Sequence, residues 1–153
     1  MGDAERGARV RAWIAVGLWT ALILILSSDE FSADTTGSWL REVWHWLGLA
    51  PRLWPGLHAA VRKSAHLFEY GVLALLALHA LRAGGTNGVA RAAAFALALV
   101  LAVAVLDESR QARSRHRTGS PVDVAVDLAG GAGALALLGL ARLGARVREP
   151  SRA

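Results

Sequence analysis

The chain has 153 residues, a formal net charge of +5 and no cysteine, and 54% of its residues are hydrophobic. Apolar residues gathered in blocks, with a mean hydropathy of +0.38, exclude an ordinary soluble domain and describe a small integral membrane protein. Without cysteine there is no disulfide, no thiolate nucleophile and no cysteine-ligated zinc.

Ala12 to Ser28 is nearly continuous apolar sequence, long enough to cross roughly 30 Å of hydrocarbon at about 1.5 Å per residue. Arg6, Arg9 and Arg11 precede it, which invites a signal-peptide reading. The apolar stretch exceeds the usual roughly 7 to 15 residues and no clear A-x-A site follows, so the segment reads as a retained span. The loop from Asp29 to Arg62 holds four of the six tryptophans. Within it Trp39, Leu40, Val43, Trp44 and Leu47 share one helical face. That pattern predicts an amphipathic helix, lying at the headgroup level that tryptophan prefers or capping the bundle through the same face. Pro51 and Pro55 are expected to end this segment.

Ser64 to Leu81 forms the second span and carries His66, Glu69, Tyr70 and His79. Charges and polar groups inside a lipid-facing helix cost several kcal/mol each, about 3 on insertion scales, so this helix is expected to pack against partners. His79 alone reads as a buried, hydrogen-bonded histidine. Gly84 to Gly88 makes a tight turn. Ala92 to Leu106 is clean but short, so its helix is expected to continue through Asp107, Glu108 and Gln111. Val122 to Ala141 is the fourth span, interrupted by Asp123 and Asp127. The fold class is therefore all-α: a polytopic membrane protein of four transmembrane helices with an amphipathic helix in the first loop. Residues 1–11 read as a cytoplasmic N-terminal segment, 12–142 as the membrane domain and 143–153 as a basic tail.

With four spans both termini share a side. That side holds nine Lys and Arg residues against eight on the other, too even for the positive-inside rule to decide. The acidic residues of the connecting segments fall mostly away from the terminal side, which favours cytoplasmic termini.

The ionisable residues collect in three stripes. Lys63, His66 and Tyr70 fall within about a 60° arc of the second helix, flanked by Glu69. Asp107 and Gln111 share a face at the end of the third, with Glu108 beside them. Asp123, Asp127, Gly130 and Ala134 share a face of the fourth. All three lie toward one side of the membrane and can meet. Plainer roles compete for several of these residues. Ser120, Pro121 and Asp123 match a helix cap, a first-turn proline and a third-position acid. Asp107 and Glu108 sit badly for the dipole at a helix C-terminus and call for cationic partners, with Arg110, Arg117 and Lys63 in reach. Gly130 and Ala134 allow close helix packing. Capping cannot explain Asp127, a turn into the span.

Lys63-x-x-His66-x-Phe68-Glu69-Tyr70-x-x-Leu73, Asp107-Glu108-x-x-Gln111, and Arg117-x-Gly119-Ser120 followed by Asp123, Asp127 and Gly130 resemble, in that order and spacing, the VanZ-like membrane proteins. The resemblance covers about the last two thirds of the chain. It implies a small multi-pass protein of the bacterial cytoplasmic (inner) membrane, in a family whose named member is associated with resistance to the glycopeptide teicoplanin. One departure is the basic run Ala112, Arg113, Ser114, Arg115 and His116, where the family often has an apolar, Pro-Gly stretch.

Three functional readings follow, in this order. The first is binding of a membrane lipid, an anionic cell-envelope lipid or precursor bearing phosphate. Arg117, Lys63 and Arg62 would hold the phosphate, aided by the N-termini of the second and fourth spans, with His66, Tyr70 and Gln111 adding hydrogen bonds and Asp107, Glu108 and Asp127 orienting the cations. The second is a structural or assembly role with charges paired internally. The third is a membrane-embedded enzyme with His66 as base or metal ligand beside Asp107, Glu108, Asp123 or Asp127. No metal-ligand spacing, nucleophile elbow or phosphate loop selects it. No cofactor, metal or nucleic-acid partner is expected.

Overall fold

Helix formation follows the apolar blocks. The computed structural model describes residues 2–28, 33–48, 54–113 and 120–148, with side chains throughout except at 33–37, 39, 40 and 146–148. Among these residues the helices are α1 (Asp3–Leu26), α2 (Ala33–Trp46), α3 (Trp54–Ala83), α4 (Val89–Gln111) and α5 (Pro121–Arg148). α1, α3, α4 and α5 are each long and apolar enough to cross a membrane.

The helices outrun the apolar blocks that announce them. α1 begins at Asp3, where Asp3 and Glu5 occupy the first turn and favour the positive end of the helix dipole. α3 begins ten residues before the apolar block at Ser64 and has 30 residues, about 45 Å at 1.5 Å per residue. Its first two turns therefore project beyond a hydrocarbon core of roughly 30 Å. Pro55, expected to end the preceding segment, instead stands in the first turn of α3, where the missing N–H breaks no intrahelical bond. Pro51 lies outside the described residues. α4 runs through Asp107 and Glu108 to Gln111, as the short apolar block requires.

The turn from α3 to α4 closes by a glycine-dependent cap. Thr86 N donates to Leu81 O and Gly85 N to Arg82 O, both at 3.1 Å, and Gly85 adopts a φ of +86°. This pairing satisfies the last carbonyls of α3 at a left-handed position that glycine occupies without steric cost.

α3 is the central helix and packs against α1, α4 and α5. Its contact face is rich in small residues: Ala74, Ala77 and Ala80 are fully buried beside Tyr70 and Leu73, as are Ala92, Ala96 and Ala104 of α4. Many large apolar side chains point outward, among them Leu18, Phe95, Leu137 and Leu140. Small residues inside and large apolar ones outside is the arrangement a lipid solvent favours, because close backbone approach provides the packing and lipid covers the rest. The tightest approach joins α3 to α5. A Cβ at Gly130 would stand 2.5 Å from the Leu67 carbonyl oxygen, so only glycine fits there.

α2 lies in the first loop. Among the described residues it meets the bundle at the start of α3, where Trp44 packs edge-on against Trp54 at 5.9 Å and the Arg41 guanidinium lies 6.0 Å from the Trp54 ring centre. Val43, Trp46 and Leu47 stand exposed. The side chains of Trp39 and Leu40 are outside the described residues.

Candidate functional site

α3 and α5 run side by side in the same direction, and contacts recur between them at each turn. Arg62 Nη2 lies 3.5 Å from Asp123 Oδ2. One turn deeper, His66 Nδ1 is hydrogen-bonded to Asp127 Oδ1 at 2.9 Å. Below that Gly130 rides on the backbone of Leu67, and Gly71 touches Ala134. The register follows from the i, i+4 spacing on both helices, and the small residues bring the axes close enough for short side chains to meet.

Burial rises along this ladder. The Arg62 and Asp123 side chains are 39% and 26% exposed, whereas those of His66 and Asp127 are 15% and 2% exposed. The outer contact is long and partly solvated, so it adds little stability. The inner one is short and dry. With Nδ1 committed to Asp127, the imidazole has a set orientation and Nε2 is the nitrogen left for a ligand. Tyr70 stacks on His66 with ring centroids 6.3 Å apart. Its hydroxyl is buried and has no hydrogen-bond partner among the described residues. Arg62, Lys63, His66, Asp123, Val126 and Asp127 line a narrow cleft with an enclosed volume of about 10 Å³. Lys63 stands exposed at its rim and forms no ion pair among the described residues.

A second cluster closes the end of α4. Gln111 Nε2 donates to Asp107 Oδ2 at 2.8 Å, and the buried Ser27 is in hydrogen-bonding reach of the same carboxylate. Asp107 is 1% exposed, and its Oδ1 has no partner among the described residues. His66, Asp107 and Asp127 are close enough to act on one another's charge. Glu108 accepts a hydrogen bond from the Ser120 N–H, tying the end of α4 to the start of α5. A wider, mainly apolar cleft of about 390 Å³ opens beside this tie, lined by Val105, Glu108, Ser109, Ala112, Ser120, Pro121 and Val124.

Among the described residues, the cationic partners expected for Asp107 and Glu108 are not what these carboxylates use. Arg110 donates to the Leu24 carbonyl at 3.1 Å, serving the exposed C-terminus of α1, where a cation also suits the dipole. Amide and hydroxyl donors take the carboxylates instead. Arg117 lies outside the described residues. The expected aid from helix N-termini also shrinks. The Ser120 hydroxyl accepts from Val122 N at 3.2 Å and the Ser120 carbonyl from Asp123 N at 2.9 Å, so α5 is capped by its own residues. The start of α3 lies two turns above Arg62. His79, expected to be buried, is exposed on α3.

Three contributors carry no signal in the sequence. Ser27 reaches Asp107 from the end of α1. Trp19 Nε1 donates to the Glu69 carbonyl at 2.9 Å, while Glu69 itself is only partly buried. Gly71 meets Ala134 and Gly130. Each pairs residues far apart in the chain, which periodicity cannot align. Among the described residues no group of three His, Cys, Asp or Glu side chains is placed to hold a metal ion.

No curated protein and no solved structure matches the chain. The VanZ/LLP1 family model matches residues 12–142, a stretch that takes in α3 and α4, most of α1 and α5, and both polar clusters. Covering most of the sequence and every element of the site, that match settles the family: the chain belongs to the VanZ/LLP1 family of membrane proteins.

Proposed function

We propose that this chain is a headgroup-binding protein of the bacterial cytoplasmic membrane. In this reading the cleft between α3 and α5 receives the phosphate of a cell-envelope lipid or precursor. The observation that carries it is the meeting of Arg62, Lys63 and His66 in one cleft, level with the start of α5, where a membrane border is expected. Lys63 supports the reading most directly, since a cation without an ion pair among the described residues is available to a ligand. Asp123 and Asp127 hold Arg62 and His66 in place. The exposed apolar residues of α2 suit a helix lying at the headgroup level above the same cleft. Cytoplasmic termini would put the cleft on the outer leaflet.

The test is Lys63→Ala in the purified full chain, with bound lipid read by native mass spectrometry. Binding of phospholipid is expected to fall by about ten-fold, the loss of one charge-assisted contact, while the thermal midpoint stays within about 1 °C of the parent because the side chain is exposed. Unchanged lipid binding would sink the proposal.

One observation favours a structural role. Asp107, Glu108, Asp123 and Asp127 each have an intramolecular partner. On that reading the variant changes neither binding nor stability, so the same experiment separates the two.

A further inference from the structure

The cleft between α3 and α5 has a chemistry narrower than a general preference for anions. Arg62 and Lys63 are offset by Asp123 and Asp127, so with a neutral imidazole the five groups carry no net charge. A ligand of fixed single charge gains nothing from the net field there and must be held by directed hydrogen bonds. Three groups can supply them: the Arg62 guanidinium, whose contact to Asp123 is long at 3.5 Å, the Lys63 ammonium, and Nε2 of His66.

His66 divides phosphate ligands into two classes. Its Nδ1 is bonded to Asp127, so the neutral ring carries its proton on Nδ1 and presents Nε2 as an acceptor. A phosphodiester has no proton to offer and only accepts, so it meets neutral Nε2 lone pair to lone pair. A phosphate monoester keeps one titratable proton, with a pKa of about 6. That proton can sit on the phosphate or on Nε2, and a hydrogen bond joins the two in either case. When it sits on Nε2 the ligand becomes a dianion beside an imidazolium and two cations. The monoester also presents three non-bridging oxygens to three groups, where a diester presents two.

We propose that this cleft selects a terminal phosphate monoester of a membrane lipid over a phosphodiester headgroup, with His66 as the residue that tells them apart. The proposal rests on the reading of the cleft as a headgroup site and adds the class of headgroup. The wide apolar cleft beside Pro121 and Val124 lies against the same end of α5 and leaves a path for acyl or prenyl chains.

Detergent-solubilised full chain, titrated with dioctanoyl phosphatidic acid, dioctanoyl phosphatidylglycerol and glycerol 3-phosphate, tests this by native mass spectrometry. Phosphatidic acid is expected to bind about ten-fold more tightly than phosphatidylglycerol, with the preference falling to about two-fold in His66→Asn, whose amide nitrogen can replace Nδ1 toward Asp127 but has nothing in place of Nε2. Equal affinity of the parent protein for both lipids overturns the monoester selection and leaves the headgroup reading standing. Binding of neither lipid overturns both. Displacement of phosphatidic acid by an equal concentration of glycerol 3-phosphate makes the ligand a soluble monoester and overturns the lipid assignment. A full preference retained in His66→Asn removes His66 from the role. The comparison of lipids on the parent protein needs no variant, so a folding defect in His66→Asn leaves the selection testable.

Discussion

Lys63 and Asp127 stand in opposite physical situations a turn apart on the same cleft. Lys63 is exposed, and its loss leaves no buried group stranded. Asp127 is 2% exposed and depends on His66 for its hydrogen bond. Removing one partner of a buried pair leaves the other uncompensated, so His66→Ala is expected to cost about 3 kcal/mol of stability. His66→Asn can keep a donor toward Asp127 and is expected to cost less than about 1.5 kcal/mol, the range of a single retained hydrogen bond. Reversible unfolding in mixed detergent, followed by tryptophan fluorescence, measures both. Equal losses would show that the pair contributes no more than packing. At this scale the sequence was partly legible. The stripe of Lys63, His66 and Tyr70 is visible because three polar residues on one arc of an apolar helix are costly without a reason. The division of labour within it is not visible, because whether a histidine faces a carboxylate depends on a neighbouring helix.

α3 and α5 show what an element contributes beyond its own residues. Their parallel register is held by the approach of Gly130 to Leu67, and every polar rung above depends on that spacing. Gly130→Ala forces a methyl group to within 2.5 Å of a backbone oxygen, which neither helix can yield without sliding or parting. A loss of about 1 to 3 kcal/mol is expected from such overpacking, together with weakened lipid binding. Gly133→Ala, one turn along and facing open space, is the matched control. It should be neutral or slightly stabilising, by up to about 1 kcal/mol, since alanine is the better helix former. If the two variants behave alike, the close approach does not hold the register. The sequence marks Gly130 by its place on the face of Asp123, Asp127 and Ala134, and the packing shows how close the approach is. Element ends were the less legible part of the helices. α3 starts ten residues before its apolar block because amphipathic sequence continues a helix wherever one face has a partner, and Trp54 finds Trp44.

For the whole molecule, four long apolar helices place the α1–α3 and α4–α5 connections on one side and the chain ends on the other. The absence of cysteine makes this simple to check with single introduced thiols. Ala4→Cys and Ala112→Cys, both exposed, are expected to react with a membrane-impermeant thiol reagent from opposite sides: Ala112→Cys in intact cells and Ala4→Cys only after the membrane is opened. Labelling of both from one side contradicts the four-span arrangement, and the reversed pattern contradicts cytoplasmic termini. The sequence by itself determined the number of spans, the end of the bundle where ionisable residues collect and the family resemblance, because the length of an apolar run and the spacing of charges along a helix are local properties. Tertiary structure decided which charges pair. Arg62 with Asp123, His66 with Asp127, Glu108 with the amide of Ser120, and Arg110 with α1 instead of a carboxylate all depend on how closely small residues let helices approach. That distance is a property of two surfaces together, and neither segment encodes it alone.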